Sequence, residues 1–155
     1  MQLLFRPATA ADRSSVERII EIAEAPEARR MGLRIKSTEE NWLDNAIESG
    51  RVYIALVDEQ PVGIAATRLK DESVLHIDHV AVLPHLQGRG IGGWILSGVE
   101  AVARAEKRSR LTFMTAAMMS ELLHLGSRFG FHETHRMLMA EGGSPHVQVY
   151  MEKII

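Results

Sequence analysis

The stretch "LPHLQGRGIGGWIL", residues 83–96, carries four glycines within six positions, Gly88, Gly90, Gly92 and Gly93, and then runs into an apolar segment of helical character. A helix N-terminus presents unpaired N–H groups and the positive end of the helix dipole. Glycines ahead of it let the backbone approach an anion closely. "QGRGIGG" therefore reads as a phosphate cradle, with the Arg89 side chain adding charge, or as a plain strand-to-helix turn. Gly88 to Gly93 also satisfy G-x-G-x-x-G, the dinucleotide-binding pattern. Their context does not fit it. Residues 84–87 separate the glycines from the preceding strand, and "RLTFMTAAMM" offers no carboxylate for a ribose about 20 positions on.

Working outward, "ESVLHIDHVAVLP" is a long strand stopped by Pro84, and Ile91, Ile95, Val99, Val102 and Ala103 form the apolar stripe of the helix behind the glycines. Upstream, a first strand covers residues 2–6. A capping-box pattern at Thr9–Asp12 opens a helix over about residues 10–24, with Val16, Ile19, Ile20 and Ala23 on one face. Pro26 and Gly32 break that pattern in a loop bearing Arg29, Arg30, Arg34 and Lys36. Thr38 then opens a second helix with Trp42, Leu43, Ala46 and Ile47 on one face. "VYIALV" and "VGIAATRL" read as a hairpin. Downstream come the strand "LTFMT", a helix in "SELLHLGSRFGF" closed by Gly130, and a last hairpin turned at "GGSP". Seven strands and four helices in this order imply an α/β sandwich with a mixed sheet.

The chain of 155 residues fits one domain, residues 1–155. A net charge of −2 gives no support for a nucleic-acid-coating role, and no window approaches a membrane span. The absence of cysteine removes thiolate metal sites and cysteine nucleophiles together. It agrees with a reducing compartment, and the expected location is the cytoplasm. On alternation, His132 and His135 point to opposite faces and make a poor metal pair; Glu121 and His124 lack the second helix that a di-iron site needs. No metal is expected. The methionines read most simply as core filler, or some as lining an adaptable acceptor pocket; Trp42 and Trp94 read as packing residues, with Trp42, beside the basic loop, the better candidate for a substrate wall.

Gln87, Gly90 and Gly92 also satisfy Q-x-x-G-x-G behind Val80-Ala81-Val82 and Pro84. In this the sequence resembles the GNAT superfamily of N-acetyltransferases, whose acetyl-CoA motif is similar to I-x-x-x-V-x-P-x-x-Q-G-x-G-x-G before a helix. "FRPATAADRSSV", "PVGIAA", "LGSRFGF" and "VYMEKII" resemble further family segments in the same order. The resemblance implies an α/β (α+β) fold with a mixed, mostly antiparallel seven-stranded sheet, four flanking helices, and splayed fourth and fifth strands. It implies that N–H groups of Gly88, Arg89, Gly90, Ile91, Gly92 and Gly93, with Gln87, bind the CoA pyrophosphate. The backbone of Val80, Ala81 and Val82 would pair with the pantetheine arm, as an extended peptide adds to a sheet edge.

The implied reaction is attack of a neutral primary amine on the acetyl-CoA thioester in a ternary complex, the amine coming from a small molecule or a peptide. An alkylamine of pKa about 10.4 must lose a proton to some group. Strand alternation puts Val74, His76, Asp78, Val80 and Val82 on one face and Leu75, Ile77, His79, Ala81 and Leu83 on the other. His76 and Asp78 interrupt an apolar face, at positions resembling those of a family base. They read as a base with its orienting partner, His76 ahead of Asp78, or as a hydrogen-bonded structural pair. His79 reads as structural. Many family members place a tyrosine acid after the leucine of the fourth helix, where this chain has Gly126 after Leu125. That departure leaves a second reading, an acyl-CoA-binding sensor or regulatory subunit without catalysis. The acceptor would enter between the first two helices and the final hairpin, and a homodimer remains open.

Overall fold

The computed structural model describes residues 2–30, 41–140 and 145–155. The elements are β1 (Leu3–Pro7), α1 (Arg13–Arg30), α2 (Trp42–Glu48), β2 (Val52–Val57), β3 (Gln60–Leu69), β4 (Val74–Val82), α3 (Ile91–Ala105), β5 (Arg110–Ala116), α4 (Ser120–Arg128), β6 (His132–Met139) and β7 (His146–Ile154). They build one seven-stranded sheet in the order β1-β2-β3-β4-β5-β7-β6, antiparallel everywhere except between β4 and β5. The parallel pair follows from the α3 crossover, because two parallel strands cannot be joined by a tight turn.

Each face of the sheet has its own core. On one side α3 and α4 cover Leu75, Ile77, Val82, Leu111 and Phe113 with Ile95, Leu96, Val99 and Ala103. On the other, α1 and α2 cover Ile54, Ile64, Ala66 and Ala81 with Val16, Ile19, Leu43 and Ile47. The α1 side therefore shields β1 to β4, and the outer half-sheet on that side keeps polar and charged side chains.

Local signals place most boundaries. Asp58 and Glu59 form the two-residue turn from β2 to β3, both at positive φ (47° and 67°), the backbone twist that matches a tight hairpin. Gly130, at φ 89°, closes α4: its N–H returns to Ser127 O (3.1 Å) and Phe131 N–H to Gly126 O (3.0 Å). The first helix differs from its sequence reading at both ends. It opens as a 3-10 turn over Ala10–Asp12, and α1 runs past Pro26 to Arg30, so Arg29 and Arg30 are helical. A proline fixes φ near the helical value and forfeits one helical hydrogen bond, and α1 continues through it. Gly32, Arg34, Lys36 and Thr38, and most of the "GGSP" turn, lie outside the described residues.

The Asp12 carboxylate accepts hydrogen bonds from Arg6 Nη1 (2.7 Å), Arg6 Nη2 (3.1 Å) and the Thr9 N–H (2.8 Å), fastening the start of the helix to β1. Chiefly through the Arg6 hydrogen bond, and against a burial effect, its pKa falls from 3.8 to about 2. A depressed carboxylate stabilises the fold above its unfolded pKa and stops doing so as pH falls through the folded value. Asp12→Asn is expected to cost about 1–2 kcal/mol at pH 7, after discounting for the partly exposed Arg6, and much less near pH 2. Urea unfolding at both pH values checks this.

Candidate active site

The strand before the glycines departs from simple alternation. β4 pairs with β3 as Thr67↔Ile77 and then Ala66↔His79, so Asp78 is the extra residue of a β-bulge. Beyond it the alternation inverts. Val80 and Val82 share the α3 side with Leu75 and Ile77, whereas His79 and Ala81 join the α1 side with His76. The expectation that His76, Val80 and Val82 share a face is corrected by this one inserted residue.

The bulge sits where β4 and β5 part. Their pairing covers only Val74↔Arg110 to Ile77↔Phe113, and from Asp78 onward the β4 edge toward β5 has no strand partner. A wedge-shaped cleft opens there, lined by Ile77, Asp78, Val80, Phe113, Met114 and Gly126 among others. The β4 backbone from Val80 to Val82, paired with β3 but not with β5, borders it as a sheet edge an extended guest can join.

At the top of the wedge the four glycines divide by role. Gly88 (φ 78°) and Gly90 (φ 84°) adopt left-handed backbone, and a Cβ at either would meet nothing within 4 Å, so both face open space. Gly90 caps α3, whose first bond is Trp94 N–H to Gly90 O (3.0 Å), leaving the N–H groups of Ile91, Gly92 and Gly93 ahead of the helical ladder. Gly92 and Gly93 serve packing as well: a Cβ would lie 3.1 Å from Leu125 Cδ2 and 2.5 Å from Phe129 Cζ respectively. Gln87 donates from Nε2 to Val82 O (3.1 Å) and so fastens the loop to β4, while Arg89 is exposed beside it. Open glycine backbone, a helix N-terminus and an unpaired strand edge together fit a phosphate-headed, extended cofactor.

His76 and Asp78 do come together. His76 is 4% exposed and its Nδ1 lies 2.7 Å from Thr112 Oγ1 on β5. Its Nε2 lies 3.7 Å from Asp78 Oδ1, beyond hydrogen-bond reach, and that oxygen accepts a hydrogen bond from Arg68 Nε (3.0 Å). Burial pushes the His76 imidazole below its ordinary pKa, with Asp78 acting weakly the other way. The ring is therefore neutral at pH 7. His79 is a tether: its Nδ1 lies 2.6 Å from Glu24 Oε1 on α1, and its ring stacks on Trp42 of α2 (5.3 Å). Burial opposes its charge, but the Glu24 hydrogen bond and charge outweigh that and raise its pKa. Trp42 is thus taken up by packing. Gly126 has a structural reason to carry no side chain, since a Cβ there would lie 2.7 Å from Phe113 Cζ. Phe113 occupies the space a tyrosine would need.

Arg68, Thr112 and Glu152 escaped sequence reading, while His135 was weighed there only as a metal ligand. The alternation of Arg110, Thr112 and Met114 against Leu111, Phe113 and Thr115 in β5 was the signal for a polar outer face. A second bulge, between Glu133 and His135, also inverts an expectation. His132 faces Glu152 and His135 faces Tyr150, so the two histidines share a face, and His135 stacks on Tyr150 (4.1 Å). Among the described residues no group of three or more His, Asp or Glu side chains gathers around a metal position. Of the methionines, Met151 is buried while Met114, Met118 and Met137 are exposed. No helix of the described residues is long and apolar enough to cross a membrane.

Comparison with solved structures gives the same architecture. The ribosomal-protein-alanine N-acetyltransferase of Brucella melitensis superposes with a TM-score of 0.80 at 24% identity, over 98% of this chain and 99% of that one. Arabidopsis thaliana Naa50, solved with the bisubstrate analogue CoA-Ac-MVNAL, gives 0.81 at 15% identity over 100% of both chains. A GNAT family acetyltransferase from Elizabethkingia anophelis with acetyl-CoA bound gives 0.72 at 19% identity, over 99% and 98%. No curated protein sequence matches the chain. The family model described as "Acetyltransferase (GNAT) family" matches residues 16–131, from α1 through the bulged strand, the glycine loop and α4. The chain belongs to the GNAT acetyltransferase family, and acetyl-CoA is the acyl donor this membership implies.

Proposed function

We propose that the chain is an N-acetyltransferase acting on a primary amine, in the cytoplasm, by direct transfer within a ternary complex. The observation that carries this reading is continuity along β4: Asp78 and Val80 line the wedge where β4 leaves β5, and the same strand runs on through Val82 into the glycine loop at the N-terminus of α3. Acetyl-CoA, when bound, supplies an activated acetyl group as a thioester. The N–H groups from Gly88 to Gly93 bind its pyrophosphate, and the backbone of Val80 to Val82 aligns its arm.

Asp78 borders the wedge, and its carboxylate accepts the amine proton in this reading. His76 borders the other side of the sheet and, held by Thr112, positions Asp78 as a neutral ring. The proposal puts Asp78 ahead of His76, the opposite of the order expected from sequence, and the support for it is that Asp78 is among the residues lining the wedge. Positioning supplies much of the rest, since effective molarities reach about 10⁵ M for well-held partners. The occupied place beside Gly126 favours the second reading, a chain that binds acyl-CoA without turning it over. Thiol release against a panel of amines, amino acids and peptides separates the two. The enzyme reading requires at least one acceptor to raise release well above hydrolysis; a panel without any such acceptor overturns it.

A further inference from the structure

The wedge has a closed end. β4 and β5 stay paired as far as Ile77↔Phe113 and part beyond it, so a group running down the β4 edge from the glycine loop ends on this pair. Both side chains turn to the α3 side of the sheet, where Leu96 of α3 and Leu122 of α4 complete an apolar lining. Asp78, one position nearer the loop, is the one charged group among the described residues that line the wedge.

Phe113 has no room to retreat. Its ring meets Phe131 edge-on (centroids 5.0 Å, planes 66° apart) and lies over Gly126, where even a Cβ would stand 2.7 Å from Phe113 Cζ and 2.9 Å from Cε1. Ile77 and Phe113 are both buried, and interiors packed this closely do not admit an added methylene without cost. The bare backbone at Gly126 thus does more than omit a phenol: it lets the Phe113 ring stand at the apex.

In the acetyl-transfer reading the thioester carbonyl lies beside Asp78. One strand residue, a rise of about 3.3 Å, then separates it from the Ile77–Phe113 pair. A methyl group, one bond of about 1.5 Å beyond the carbonyl, fits that span, and the three-carbon tail of a butyryl group does not. We infer that Phe113, seated over Gly126 and opposite Ile77, sets the size of acyl group this protein accepts on CoA: acetyl fits, and straight acyl groups of four carbons or more are refused. The inference deepens the acetyl-transfer reading and rests on the donor lying in the wedge.

The test is calorimetric titration of CoA, acetyl-CoA, propionyl-CoA and butyryl-CoA into the wild type, Phe113→Leu and Ile77→Val. Each acyl-CoA is read relative to CoA in the same protein, so that a general weakening cancels. The wild type is expected to bind butyryl-CoA at least about ten-fold more weakly than acetyl-CoA, with propionyl-CoA between them. Phe113→Leu opens the apex and should narrow the gap between butyryl-CoA and acetyl-CoA to about three-fold or less. Ile77→Val removes one methyl group from the facing side and should ease propionyl-CoA by about two- to five-fold; it carries the test if Phe113→Leu does not fold. Equal affinity of the wild type for acetyl-CoA and butyryl-CoA overturns the inference and leaves acetyl transfer standing. So does a wild-type ratio in folded Phe113→Leu, or in Ile77→Val where Phe113→Leu does not fold. Absence of saturable binding of both CoA and acetyl-CoA by the wild type overturns the donor reading itself.

Discussion

Asp78→Asn is expected to lower kcat by about 10²–10³-fold and leave acetyl-CoA affinity unchanged. The substitution keeps the size of the bulged residue and removes the negative charge that would take the amine proton. Its structural cost is small, because the Arg68–Asp78 pair is exposed on the Arg68 side and such pairs contribute about 0–1 kcal/mol. His76→Gln is the companion variant. It keeps hydrogen-bonding capacity toward Thr112 and loses the imidazole beside Asp78, so a loss of about ten-fold marks a positioning residue. Initial rates of thiol release, with calorimetric acetyl-CoA binding measured on the same preparations, provide the check. Wild-type turnover in Asp78→Asn contradicts the role given to Asp78. A deeper loss in His76→Gln than in Asp78→Asn restores histidine as the base.

Gly93→Val should be the most destabilising single change in the glycine loop, at about 3 kcal/mol. The added Cβ alone would fall 2.5 Å from the Phe129 ring, and the two methyl groups beyond it have no room between α3 and the end of α4. The helix must then shift off the sheet or Phe129 must leave its place. Phe129→Ala in the same chain is expected to recover part of the loss, since it empties the space the valine needs. Denaturant midpoints of the two single variants and the double variant measure the coupling. Additive losses would show that Gly93 and Phe129 do not share that space.

These two residues also mark the limits of sequence reading. The succession of strands and helices was legible because it rests on local chemistry, periodicity, a capping pattern and glycines before a helix, whereas the cofactor of the loop was legible through the family resemblance of Gln87, Gly90 and Gly92. Gly93 satisfied the phosphate pattern as well as Gly90 did, and only packing against Phe129, 36 residues further on, separates their roles. The bulge at Asp78 was not legible. One inserted residue leaves the apolar and polar letters of "LHIDHVAV" unchanged and exchanges the faces of everything after it, and only the β3 register reveals it. The bulge beside Thr134 hid the shared face of His132 and His135 in the same way. Pro26 was read as a stop by a rule that holds for isolated helices, and α1 continues through it. The departure at Gly126 was visible in sequence, whereas its cause, the Phe113 ring, required the tertiary contact.

The central claim is that the open, left-handed turn at Gly88–Gly90 and the N-terminus of α3 hold the acyl donor. Calorimetric titration of acetyl-CoA into the wild-type chain and into Gly90→Val tests it most directly, with unfolding free energy measured alongside. A valine at φ 84° has space but an unfavourable backbone, costing about 1–2 kcal/mol of stability, and it places two methyl groups where the phosphate would approach. Saturable binding by the wild type, weakened about 10–100-fold in a Gly90→Val chain that remains folded, is the predicted result. Absence of saturable binding by the wild type, or equal affinity in the two chains, would contradict it.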